Sequence, residues 1–149
     1  MSQIPADCLS GIFEYLYGDK ASLYSCLLVN RLWCKISVKI LWRNSCTANF
    51  RTLISCFPNE SKEILSKNGI IISPPTPKYP VFNYASFCKI LPIDRVYHKL
   101  RLVLKKQQSI SLQDLNGNSV IVTQEILKLF VKQIHSLKNL TIYIHQEFQ

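Results

Sequence analysis

IPADCLSGIFEYLYGDKASLYSCLLVNRLWCKISVKILWRN, residues 4–44, decides how this chain folds. Pro5 suits a first helical turn, where its missing N–H costs nothing. Leu9, Ile12, Phe13 and Leu16 follow at i, i+3, i+4 and i+7, one apolar stripe of a helix. Gly18-Asp19 breaks the pattern, and Asp19 can cap the next helix, which carries Leu23 and Leu27 one turn apart and runs into Leu28-Val29. Asn30 marks a bend before a third helix with Leu32, Trp33, Ile36, Ile40, Leu41 and Trp42. Three short helices are therefore predicted. A unit of roughly forty residues needs a staple or a partner to cover so much apolar surface. No disulfide pattern or zinc spacing is present in it, so the covering must come from the rest of the chain or from another protein.

The order of these elements has a counterpart. An Ile4-Pro5 start, the Leu9–Leu16 helix, Leu28-Val29-Asn30-Arg31-Leu32-Trp33 and a closing Leu41-Trp42-Arg43 together resemble the F-box. The resemblance covers about 40 of the 149 residues, and the composite pattern is far more specific than any one piece. It departs from the family at Asn30, where Cys is frequent, and at Tyr17-Gly18-Asp19, where a Pro near the first turn is usual. The resemblance implies a three-helix module that docks on a Skp-type adaptor and so joins a cullin-based ubiquitin ligase. It also implies that Ile4, Pro5, Leu9, Ile12, Phe13, Leu16, Leu28, Val29 and Trp33 are the adaptor-binding set. The competing reading of each is a place in a small intramolecular core.

Beyond the module, residues 49–68 are predicted helical with a restart at Pro58-Asn59-Glu60, and Asn68-Gly69 reads as a helix stop. Ile70-Ile71-Ile72 fits a short strand or a buried extended segment. Four prolines between Pro74 and Pro80 make the best linker candidate. Tyr84–Leu91 and Asp94–Gln107 read as helices, Asn116-Gly117-Asn118 as a turn, and a longer helix is expected from about Thr123. Its buried face would hold Ile126, Leu127, Phe130, Val131 and Ile134. Leu137, Leu140, Ile142 and Ile144 then suit a strand. Leu137-x-x-Leu140-x-Ile142 resembles the strand of a leucine-rich repeat, and it equally fits an ordinary helix–strand unit. One copy cannot build a repeat array, which needs about three.

Composition narrows the classes. The 48% apolar content marks a packed chain, and no apolar run reaches the 18 or so residues that cross a bilayer. No basic residue precedes Ile4 and no continuous apolar stretch follows, so a secretory signal is not expected. Six cysteines at wide, irregular spacings read as reduced thiols, several of them buried. The net charge of +9 is not uniformly spread: between Asp94 and Lys106, Arg95, Lys99, Arg101, Lys105 and Lys106 face a single acid. Such a run fits a phosphate-rich or anionic-membrane partner, or simply the solvated face of an amphipathic helix. His98, His135 and His145 have no cysteine at metal-ligand spacing, and no G-x-S-x-G, phosphate loop or H-E-x-x-H occurs.

The expected protein is mostly α: an F-box module over 1–46, a helical connector over 47–73, a Pro-rich linker over 74–82, and a helical region over 83–149. The last would end in the single leucine-rich-repeat-like α/β unit. Its expected work, implied by the resemblance, is that of a non-catalytic substrate receptor, docked on the Skp-type adaptor and through it on cullin, recruiting a client in the cytoplasm or nucleus. No cofactor, metal or catalytic residue is expected. The alternatives are a basic protein contacting nucleic acid or anionic membrane through 94–106, a truncated F-box protein that binds the adaptor without delivering a client, and a thiol-dependent hydrolase.

Overall fold

The computed structural model describes residues 3–44, 50–73, 78–107, 109–133 and 141–143. Over these the chain is mostly helical, as expected. It contains α1 (Ala6–Glu14), α2 (Lys20–Cys26), α3 (Arg31–Leu41), α4 (Phe50–Ser55), α5 (Asn59–Lys67), α6 (Ile93–Gln107) and α7 (Leu112–Gln133). A 3₁₀ turn at Tyr84–Phe87 and the strands β1 (Ile90–Pro92) and β2 (Thr141–Tyr143) complete the order. The Pro74 to Pro77 part of the linker, Ile134, and Leu137, Leu140 and Ile144 of the C-terminal pattern lie outside the described residues.

Local chemistry sets most of the helix ends. Asp19 caps α2, its carboxylate accepting from the Ser22 N–H at 3.1 Å. Asn30 is more than a bend: its side-chain oxygen accepts from the Trp33 N–H at 2.9 Å and starts α3. A cap of this kind contributes about 1 kcal/mol. At the end of α5, Gly69 takes φ 68, a left-handed conformation that glycine adopts without steric cost. The Ile70 N–H bonds the Leu65 carbonyl and the Gly69 N–H bonds the Ser66 carbonyl, while Leu65 and Ile70 share the core.

Two apolar cores result. The smaller one belongs to α1–α3 and holds Leu9, Phe13, Leu23, Cys26, Ile36 and Ile40. The larger one draws on α4, α5, the segment around β1, α6 and α7, with Leu53, Leu91, Val96, Leu100, Leu104, Val122, Ile126 and Phe130 fully buried or nearly so. The α3 end joins the two. Trp42 packs against the larger core and stacks on Tyr84 with ring centroids 4.6 Å apart, and the Arg43 carbonyl accepts from the Lys89 and Ile90 N–H groups.

Three expectations change. Tyr84–Leu91 is not a helix but a 3₁₀ turn followed by β1, which pairs in parallel with β2 in the register Ile90–Thr141, Leu91–Ile142 and Pro92–Tyr143. The N–H groups of Lys89 and Ile90 are taken by Arg43, so long-range pairing displaces helical bonding there. Asn116-Gly117-Asn118 is not a turn but part of α7, which starts eleven residues before Thr123. The helix is nucleated by Ser111, whose hydroxyl accepts from the Asp114 N–H and donates to the Asp114 carboxylate at 2.6 Å. Val131, expected on the buried face of this helix, is exposed, and Leu115, Val122 and Leu129 take the core positions with Ile126 and Phe130.

This placement of Gly117 has a measurable consequence. Its φ is not positive, and a Cβ would meet nothing within 4 Å. Gly117→Ala is therefore expected to raise stability by about 0.5–1 kcal/mol in denaturant unfolding. A loss of stability would instead support a turn at Asn116–Asn118.

Candidate docking site

The nine residues of the expected adaptor-binding set fall into two groups. Leu9 and Phe13 are 4% and 2% exposed and form the middle of the α1–α3 core. Leu16 and Trp33 are half-buried against it, and Phe13 meets Trp33 edge to face with centroids 5.0 Å apart. Ile4, Pro5, Ile12, Leu28 and Val29 are exposed, Leu28 at 88%.

Helix geometry explains the division. At about 100° per residue, Leu9 and Phe13 lie about 40° apart, while Ile12 sits about 60° from Leu9 on the opposite side and about 100° from Phe13. Leu9 and Phe13 can thus face α3 while Ile12 stays outside. Leu28 and Val29 project from the turn between α2 and α3, where their N–H groups bond the Ser25 and Cys26 carbonyls. That turn ends where Asn30 caps α3, so its two apolar side chains are held at the rim of the module.

Tyr15 at 93% exposure and the exposed Tyr24 add apolar surface that the stripe did not single out. Both lie off the core-facing positions, and the only sequence signal for them is an aromatic residue in an otherwise solvent-facing place. A contiguous apolar patch of several hundred Å² marks a contact surface, whereas single exposed apolar side chains are ordinary.

An ion pair fixes α1 to the end of α3. The Arg43 guanidinium donates two hydrogen bonds to the Glu14 carboxylate, one of them at 2.8 Å, and lies over the Tyr17 ring at 5.2 Å. That hydrogen bonding, reinforced by the charge of Arg43, holds the Glu14 carboxyl below its ordinary value. A carboxyl lowered by folding contributes stability at neutral pH that is lost as pH falls through its folded-state value. Glu14→Gln should therefore flatten part of the acid side of the melting profile, from about pH 5 downward. The effect is small because Glu14 is half-exposed and screened by salt. Unchanged pH dependence in the variant would show that this pair does not couple α1 to α3.

Chemistry of other kinds finds little support here. Among the described residues no group of three or more His, Cys, Asp or Glu is placed to hold a metal ion. The five cysteines among them are free thiols: Cys26 and Cys88 are buried and Cys8 is exposed, with Cys34 and Cys56 between. Burial pushes the Cys56 thiol up, the opposite of what a nucleophile requires. Cys88 spends its S–H on the Ile90 carbonyl. No described helix is long and apolar enough to cross a membrane.

Residues 1–48 match a family model described as F-box-like. The match covers 48 of the 149 residues, about a third of the chain. The match spans α1–α3, the smaller core and the exposed Ile4, Pro5, Ile12, Tyr15, Tyr24, Leu28 and Val29. No curated protein and no solved structure matches the chain. F-box domains are typically non-catalytic components of ubiquitin ligases.

Proposed function

We propose that the chain docks on a Skp-type adaptor through the exposed apolar side chains of its F-box-like domain and serves a cullin-based ubiquitin ligase as a client receptor. One observation carries the reading: the segment matching the F-box-like model also leaves Ile4, Ile12, Leu28 and Val29 in water while packing Leu9 and Phe13 inside. A folded module with its own core and a second, uncovered apolar set is built to dock. The adaptor-binding residues are then Ile4, Pro5, Ile12, Leu28 and Val29. Leu9, Phe13, Leu16 and Trp33 hold the helices that present them.

The ligase role is one of proximity. Docking on the adaptor places the larger α4–α7 body, and any client bound to it, beside the transfer machinery. A second-order encounter becomes an effectively intramolecular one, worth orders of magnitude in rate without any catalytic residue in this chain. An intracellular setting, cytoplasmic or nuclear, belongs to the same proposal.

Co-expression with a Skp-type adaptor tests the first step. A soluble one-to-one complex that survives size-exclusion chromatography is expected. An adaptor that elutes alone beside a folded chain would sink the docking proposal, and with it the ligase role.

A further inference from the structure

We propose that the outer face of α6 is a docking surface for an acidic protein segment carrying apolar anchors; that this segment belongs to a ligase client rests on the function proposed above. Two furrows flank Leu102, which lines both and is 60% exposed. The first, of about 460 Å³, lies between α4 and α6, floored by Phe50, Leu102 and Val103 and rimmed by Arg51, Lys99 and Lys106. The second, of about 240 Å³, lies between α6 and the start of α7. Leu102, Leu112 and Leu115 floor it, and His98, Arg101 and Lys105 rim it.

Charge decides the occupant. Five Arg or Lys side chains line the pair of furrows, and no carboxylate among the described residues lines either. The acid within α6 is Asp94, in its first turn and away from both. Apolar floors with cationic rims complement leucine-type anchors flanked by aspartate or glutamate. The second furrow is below the roughly 300 Å³ at which small-molecule pockets begin, so side-chain anchors fit it better than a free metabolite. From His98 to Lys106 the face runs about 12 Å along the helix axis, the length of a short peptide segment.

Nucleic acid and membrane fit less well. Single-stranded nucleic acid is held by several exposed aromatic faces between cations, whereas of the two rings lining these furrows Phe50 is buried and only the His98 imidazole is exposed. Phosphate contacts alone would leave Leu102 and Leu112 in water. An interfacial helix needs a broad apolar face, whereas Leu102 is the large apolar side chain that α6 exposes.

The test uses the full chain and a fluorescein-labelled helical peptide of about twelve residues, glutamate-rich with leucines one turn apart, followed by anisotropy. Analogues replacing Glu by Gln, or Leu by Ser, should each bind about tenfold more weakly or worse. Lys99→Glu with Lys106→Glu should weaken the parent peptide at least about tenfold, and Leu102→Ser several-fold. Adaptor capture and melting of every variant should stay unchanged. If the charge reversals impair folding, Lys99→Gln with Lys106→Gln and Leu102→Ser decide instead.

Absent binding of the parent peptide overturns the proposal, as does equal binding by all variants. Tighter binding of an oligothymidine strand or of phosphatidylserine vesicles, indifferent to Leu102→Ser, overturns it in favour of those partners. A chain that binds the peptide but not the adaptor keeps this surface and loses the ligase reading. The converse result keeps the adaptor and removes the surface.

Discussion

Phe13→Ala should unfold the F-box-like domain. Phe13 is 2% exposed, sits among Leu9, Leu23, Ile36 and Ile40, and meets the Trp33 ring edge to face. Removing such a ring typically costs about 3–5 kcal/mol through lost transfer energy and the cavity left behind. The small core has only six buried residues to share the loss, so the change is comparable to the whole stability of a unit this size. Trp33 emission reports the event if Trp42, which packs in the larger core, is first replaced by Phe. The expected record is an early transition for Trp33, with the helical signal of α4–α7 melting later. An unchanged transition would show that Phe13 is not structural. Trp33→Ala, which would carry a similar cost if fully buried, should cost less because Trp33 is only half-buried.

The parts of this fold that sequence discloses are those governed by neighbours in the chain. The three helices of the module, the Asp19 cap and the Gly69 stop each depend on residues within five positions. What escapes is set from afar. Tyr84–Leu91 has helical composition, yet its backbone is claimed by Arg43 and by β2 more than forty residues away in either direction. Asn116-Gly117-Asn118 is a good turn signature that loses to the burial of Leu115, Ser119 and Val122 around it. Ser119 and Thr123 can enter the core there because each hydroxyl donates to the carbonyl four residues back. The Ser111-x-x-Asp114 start was available in the sequence and outweighs the turn.

For the docking surface the limit is different. Periodicity marks Leu9, Ile12, Phe13 and Leu16 alike as apolar, because a stripe says which residues avoid water and not what covers them. Only the direction of α3 relative to α1 sorts Leu9 and Phe13 from Ile12. The same holds at Leu28-Val29, where two apolar residues in sequence look like a helix end and prove to be a rim. The charge of 94–106 was legible as charge. The furrows beside Leu102 needed α4 and the start of α7 brought against α6.

Leu28→Asp with Val29→Asp should abolish adaptor binding while leaving the chain folded. Both side chains are exposed, so replacing them perturbs stability by no more than about 0.5 kcal/mol each. In an apolar interface the cost reverses: two carboxylates lose water without gaining partners, a penalty of several kcal/mol and at least about a hundredfold in affinity. Calorimetric titration against the adaptor, with a melting curve beside it, reads both quantities. Normal affinity in the double variant would remove the α2–α3 turn from the docking face and leave Ile4, Pro5 and Ile12 to carry it. The comparison with Phe13→Ala makes the result interpretable. Each change loses the complex, but Phe13→Ala does so with the domain and Leu28→Asp/Val29→Asp does so without it. Aspartate at Leu9 or Phe13 would confuse the two, since those positions lie inside the core. Loss of binding from a folded, surface-altered chain is the outcome that separates a docking face from a core.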